Sequence, residues 1–331
     1  MSKDLILGIE SSCDDTSVAV VDKDGNILSS VTSSQIEIHN QFGGIYPEFA
    51  ARAHVYDILP TIHEAMNRAD ISPQRLKAIG VTRGPGLIGS LLVGLNTAAA
   101  LGRGWDVPVL GINHLRGHLR SVDLEENRSL FPSMVLLVSG GHTLLCLMQS
   151  ETDISIVGST RDDSVGEAYD KVSRMLGLGY PGGPVVDRLA KEGEATIPFP
   201  RPMINSGFEF SFSGLKSAVS RYLQSGAEIN KPNIAASFVD AVIEILIEKS
   251  RRALKKYPAK SLTIVGGVAA SPQLREHAAK LTDELGIELC LPPIKWATDN
   301  GAMIAMAAWD YIHHDVYKPP TAQVELLVSD F

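Results

Sequence analysis

The sequence contains no run of eighteen or more apolar residues, so nothing in it reads as a membrane-spanning helix. Its first residues, MSKDLILGIE, lack the long apolar core and small-residue cleavage site of a secretory signal. Only three cysteines occur among 331 residues, Cys13, Cys146 and Cys290. They are odd in number and far apart, which rules out a disulfide framework or a CxxC metal knuckle, and a reducing cytoplasm is the expected setting. Nor is there an excess of positive charge. Thirty Lys and Arg stand against 38 Asp and Glu, giving a formal net charge of −8. That balance speaks against a protein that coats nucleic acid over its whole surface. Low-complexity tracts and long linkers are missing too.

What remains is an ordinary globular composition, 44% hydrophobic and 21% charged, long enough for two lobes that each own a core. Two regions share one plan. Leu5-Ile-Leu-Gly-Ile-Glu10 leads through a small polar turn into Ser17-Val-Ala-Val-Val21, and Met134-Val-Leu-Leu-Val138 leads through Ser-Gly-Gly-His into Thr143-Leu-Leu-Cys-Leu147. Each is an apolar strand, a tight turn and a second apolar strand. Two later segments also match. Ile79-Gly-Val-Thr-Arg-Gly-Pro-Gly and Leu262-Thr-Ile-Val-Gly-Gly-Val each pass from a strand through glycines into a helix. Such a turn aims helix N-terminal N–H groups at the strand's carboxyl end, where they suit a phosphate. Hairpins and glycine turns in matching order predict a duplicated lobe with a nucleotide between the copies. Apolar spacing predicts helices over 46–66, 233–255, 166–176 and 299–313.

The sharpest local feature is His114-Leu-Arg-Gly-His118. Histidines at i and i+4 share one helix face, so both rings can reach one ion. A zinc protease would need Glu directly after the first histidine; Leu115 stands there, which excludes that chemistry. Asp299, at the start of a predicted helix, is the best third ligand, and an aspartate so placed also serves as a helix cap. Two histidines and one carboxylate would leave coordination positions open for substrate. Asp14 and Asp15 sit in the first hairpin turn, where they could hold a nucleotide-bound cation, orient a substrate amine or form an Asx turn. Asp170 could accept from a ribose hydroxyl or pair with a neighbouring cation.

These segments, together with Gln41-Phe-Gly-Gly-Ile-Tyr-Pro-Glu-Phe-Ala-Ala-Arg-Ala-His54, Gly84-Pro-Gly-Leu-Ile-Gly-Ser90, Gly166-Glu-Ala-Tyr-Asp-Lys171, Gly177-Leu-Gly-Tyr-Pro-Gly-Gly-Pro184, Phe212-Ser-Gly-Leu-Lys216 and Thr298-Asp-Asn-Gly-Ala-Met303, resemble the signatures of the bacterial tRNA threonylcarbamoyladenosine transferases (TsaD), once described as O-sialoglycoprotein endopeptidases. The resemblance covers nearly the whole chain in order. It implies an α/β fold of the actin-like, sugar-kinase and heat-shock ATPase (ASKHA) type, with two duplicated RNase H-like lobes around a nucleotide cleft. The lobes are expected over 1–130, with a helical insertion, and 131–331, with a helical insertion near 160–235.

The implied reaction moves a threonylcarbamoyl group from threonylcarbamoyl-AMP to the exocyclic amine of the adenosine 3′ of the anticodon in tRNA. Carried over to this chain, the metal ligands fall on His114, His118 and Asp299, for Fe2+ or Zn2+. Substrate and nucleotide contacts fall on Leu137, Val138, Ser139, Gly140, Gly141, Asp170, Gly183, Asp187 and Ser271. An adenine nucleotide (threonylcarbamoyl-AMP, AMP or ATP) is the implied occupant. Asp14 is a candidate proton acceptor, with a phosphate oxygen of the donor as the other. The implied partners are tRNA, a paralogous ASKHA subunit (TsaB) and a small ATPase (TsaE), with no membrane. The chain departs from the family pattern at Ser271, where Asn is usual, at Arg116, where Glu is common, and at Trp296, where Cys is common. An ATP-dependent small-molecule kinase of the same fold class and a non-catalytic scaffold are the competing readings; neither needs three ligands around one ion.

Overall fold

The computed structural model describes residues 4–125, 129–226 and 228–331. The chain forms two compact units, residues 1–129 with 292–331, and residues 130–291.

The first unit begins with the expected hairpin, β1 (Leu5–Glu10) and β2 (Asp15–Asp22), extended antiparallel by β3 (Ile27–Ser34). A short helix α1 (Ile36–Asn40) and a long helix α2 (Pro47–Arg68) follow. Pro47 opens α2, where its missing N–H costs nothing. Strand β4 (Leu76–Gly84) pairs parallel with β1, helix α3 (Ile88–Trp105) crosses over, and β5 (Val109–Asn113) pairs parallel with β4. Helix α4 (His114–Arg120) starts where β5 ends, capped by the Asn113 side chain, which accepts from the Leu115 N–H.

The second unit repeats the plan. Strands β6 (Ser133–Val138), β7 (Thr143–Met148) and β8 (Ile154–Ser159) form an antiparallel meander. Helices α5 (Val165–Leu176), α6 (Gly182–Ala190) and α7 (Ser213–Gln224) precede the long α8 (Lys231–Lys256). Then β9 (Ser261–Val265) pairs parallel with β6, α9 (Pro272–Leu285) crosses, and β10 (Glu288–Cys290) pairs parallel with β9. The sheet orders are β3-β2-β1-β4-β5 and β8-β7-β6-β9-β10, the same connectivity twice. No helix among the described residues is long and apolar enough to cross a membrane.

The last helix, α10 (Gly301–His313), packs in the first unit, against β1 and β2. The expected division into 1–130 and 131–331 therefore needs correction at its far end, since residues 292–331 belong with the first unit. The reason is side-chain alternation along β1. Leu5, Leu7 and Ile9 join one apolar cluster with α2 and α3, while Ile6 joins the other with α10. The second face would be bare without α10. Gly8 lies on that face, where a Cβ would come within 2.1 Å of the Gly301 carbonyl oxygen, so the helix can approach only because there is no side chain. Glu10 follows in the same alternation.

Candidate metal centre

The first unit brings together three side chains far apart in sequence. His114 and His118 lie one turn apart on α4, their ring centroids 4.7 Å apart. Asp299 enters just before α10. Asn300, one residue later than expected, is the cap of that helix, accepting from the Met303 N–H, which leaves Asp299 outside the capping role. Its Oδ1 lies 3.2 Å from His118 Nε2 and 3.6 Å from His114 Nε2. One ligand atom from each of the three lies within 4.8 Å of the others, the spacing of donors around a single cation.

The donor chemistry fits an ion. His118 is fully buried, its Nδ1 has no hydrogen-bond partner among the described residues, and its Nε2 meets the Asp299 carboxylate without a well-formed hydrogen bond. A buried imidazole whose nitrogens are so poorly satisfied is costly unless something coordinates it.

Glu10 completes the arrangement, and sequence reasoning did not single it out. It is 1% exposed, at the end of an otherwise apolar strand. Its Oε2 accepts from His114 Nδ1 at 2.8 Å and from the Thr82 hydroxyl at 2.7 Å. That contact fixes the proton on Nδ1 and turns the Nε2 lone pair toward Asp299. Burial works against the charge of His114, yet the Glu10 and Asp299 carboxylates outweigh it and lift the imidazole to about 9. An arriving cation must therefore displace a proton. An acidic residue closing an apolar strand was the signal available in the sequence. Glu10→Gln keeps the shape and removes the charge, so metal affinity is expected to fall by about 10-fold or more. Titration against a competing chelator reads this, and an unchanged affinity would refute the orienting role.

The turn after β1 borders the same place. The Ser12 hydroxyl lies 3.3 Å from His114 Nδ1, and Asp14 and Asp15 follow. Burial and the neighbouring Asp14 charge push the Asp15 carboxyl up to about 7. Arg116 points elsewhere: its guanidinium sits 3.6 Å over the Phe331 ring and its Nε donates to the Asp330 carbonyl.

In the second unit, the other expected residues lie on β6 and the turn after it, on α5 and α6, and just before α9. Leu137 and Val138 are buried at the end of β6. The turn through Ser139, Gly140 and Gly141 is pinned from below. Gly140 O accepts from the Ser164 hydroxyl, and Ser139 O accepts from the Gly166 N–H. Above it, a Cβ on Gly140 or Gly141 would meet nothing within 4 Å, and the same holds at Gly183 on α6. Asp170 on α5 accepts from the Gly182 N–H at 2.7 Å and so sets where α6 begins. Asp187 is buried, with the Ser271 and Tyr169 side chains as its neighbours. Burial raises the Asp187 pKa. Bare glycine backbone with open space beside it can receive a polar ligand.

Comparison with known proteins decides the family. The family model for TsaD, tRNA N6-adenosine threonylcarbamoyltransferase, matches residues 26–306. The chain belongs to that family. The tRNA N6-adenosine threonylcarbamoyltransferase of Staphylococcus carnosus (strain TM300) is 49% identical over 313 residues, covering 93% of this chain and 91% of its own. The one from Geobacillus thermodenitrificans (strain NG80-2) is 48% identical over 314 residues, with 93% and 92% covered. Among solved structures, HypF from T. kodakarensis aligns with a TM-score of 0.65 at 14% identity, over 95% of this chain and 48% of that one. The activator of 2-hydroxyisocaproyl-CoA dehydratase from Clostridium difficile, with bound ADPNP, aligns at 0.54 and 14% identity, over 94% and 96%. At such identities the likeness speaks for the ASKHA-type fold, in agreement with the two equivalent sheets of this TsaD-family chain.

Proposed function

We propose that this chain transfers the threonylcarbamoyl group of threonylcarbamoyl-AMP to the exocyclic amine of the adenosine 3′ of the anticodon in tRNA. The observation that carries the reading is the convergence of His114, His118 and Asp299 on one point in a chain of the TsaD family. The three hold one divalent cation, Fe2+ before Zn2+, which supplies Lewis-acid polarisation of the donor's oxygens when bound.

The remaining steps fall to the chain's own residues. The adenine amine is a weak nucleophile because its lone pair is delocalised into the ring, so the donor must be activated and held still. Glu10 keeps His114 in the coordinating tautomer. Backbone N–H groups of Gly140 and Gly141 meet the negative charge that develops on the donor, in a turn closed by the Ser139 N–H donating to the His142 carbonyl. Asp170, Gly183, Asp187 and Ser271 take the nucleotide, and Leu137 and Val138 form the floor beneath it. A C–N bond forms between the amine and the carbamoyl carbon, the C–O bond to phosphate breaks, and AMP leaves. The amine's proton passes to Asp14 or to a phosphate oxygen of the donor. The target base lies in a single-stranded loop and can be turned out without breaking a duplex.

Protein partners belong to the same reading, a paralogous ASKHA subunit (TsaB) and a small ATPase (TsaE). Val55, Tyr56 and Leu59 on α2 and Ile88 and Leu92 on α3 are exposed, an apolar face for a partner to cover. With a net charge of −8, basic surface from partners would help to hold the RNA. The test supplies threonylcarbamoyl-AMP and unmodified tRNA, with and without these partners, and analyses digested nucleosides by mass spectrometry. Threonylcarbamoyladenosine is the expected product, and its absence with every component present would overturn the reading.

A further inference from the structure

His54 is the one histidine of the first unit that the chemistry above leaves unused although it is wholly buried and hydrogen-bonded at both ring nitrogens to the turn beside the metal ligands. It projects inward from the third turn of α2. Its Nε2 lies 3.0 Å from the Cys13 carbonyl and its Nδ1 2.7 Å from the Thr16 hydroxyl. A carbonyl can only accept, so Nε2 carries the proton, and the neutral ring takes the Thr16 proton on Nδ1. Burial favours that neutral form.

The two contacts bracket Asp14 and Asp15. They also complete a series. The Ser12 carbonyl accepts from the Leu87 N–H at 2.8 Å, and the Asp14 carbonyl accepts from the Gln35 N–H at 3.2 Å. Three successive carbonyls are thus held by three different elements, and His54 holds the middle one. The Ser90 hydroxyl also reaches the Cys13 carbonyl, at a longer 3.3 Å. Without His54, the Cys13 carbonyl keeps the longer Ser90 contact, and the segment that carries Asp14 and Asp15 loses both hydrogen bonds that tie it to this ring.

We infer that His54 is a positioning residue for the transfer reaction, locking the turn of residues 13–16 so that Asp14 and Asp15 are presented to the substrate beside the metal ligands. This rests on the transferase reading for its effect on rate. Its structural content stands apart from that reading, because Cys13 lies within the turn and reports its freedom. Cys13 is partly exposed, while Cys146 and Cys290 are buried.

The experiment compares His54→Phe, which fills the space without the hydrogen bonds, with His54→Gln, whose amide can donate to the Cys13 carbonyl. In His54→Phe, kcat is expected to fall about 100-fold, the effect of a misplacement near 1 Å at a reacting group. KM for threonylcarbamoyl-AMP and bound metal should stay near wild type, and His54→Gln should recover much of the loss. Iodoacetamide should label Cys13 at least 10-fold faster in His54→Phe, with Cys146 and Cys290 unchanged. A folded His54→Phe protein with wild-type kcat and wild-type Cys13 labelling would overturn the inference. If the wild-type protein fails to transfer the group at all, the functional reading falls, and the labelling rates still decide whether His54 locks the turn.

Discussion

His114→Ala is expected to lose its divalent ion and its transfer activity together. The imidazole supplies one of three donors, and its loss leaves His118 and Asp299 as a two-point site on a cation that both need. It also takes the imidazole away from Glu10, a carboxylate that is 1% exposed and would keep only uncharged donors such as the Thr82 hydroxyl. If the ion contributes about 4 kcal/mol to stabilising charge in the transition state, the rate falls by about 1,000-fold or more. Metal analysis of the purified variant, single-turnover transfer and far-ultraviolet circular dichroism should be read side by side. The result that supports the site is a folded, metal-free, inactive protein. Full activity without metal would dismantle it.

Gly8→Ala is expected to be strongly disruptive in the first unit. The added methyl would lie 2.1 Å from the Gly301 carbonyl oxygen and 2.6 Å from the Ala305 amide nitrogen. Both belong to the backbone of α10, which cannot give way as a flexible side chain would. Either α10 lifts off β1 or the strand bends, at a cost of about 3 kcal/mol. Since Asp299 immediately precedes α10, metal affinity should drop in parallel. Gly104→Ala is the control, because its Cβ would meet nothing within 4 Å on the helix α3. It should stabilise by up to about 1 kcal/mol through helix propensity. All three tryptophans, Trp105, Trp296 and Trp309, lie in the first unit, so urea unfolding followed by their fluorescence reports on that unit. Equal midpoints for Gly8→Ala and wild type would show that the contact between β1 and α10 is not tight.

Much of this was readable from sequence because local patterns carry it. Apolar spacing located α2, α5, α8 and α10 to within a few residues, and the two hairpins and two glycine turns foretold two equivalent sheets. The histidine pair was visible because a helix fixes the i, i+4 relation. Long-range choices were not visible in the same way. Glu10 and His114 are 104 positions apart, and nothing local to either announces the other. His54 looks like any inward helix residue until the turn it holds is in place. The allegiance of residues 292–331 depends on which sheet face lacks a cover, and Gly8 decides it only once α10 is packed there. Placing the helix cap at Asn300 rather than Asp299 turned on one residue, a distinction that propensity alone does not resolve.

The discontinuous first unit has a consequence for synthesis. As the polypeptide leaves the ribosome, both histidines emerge about 185 residues before Asp299 does. At 5–20 residues per second, the interval is about 10 to 40 s. During it the continuous segment 130–291 emerges and is completed by β10 just before Asp299, whereas β1 waits with one face uncovered for the last helix. Nascent or prematurely terminated chains therefore offer an incomplete ligand set, and loading with the ion is deferred until translation is nearly finished.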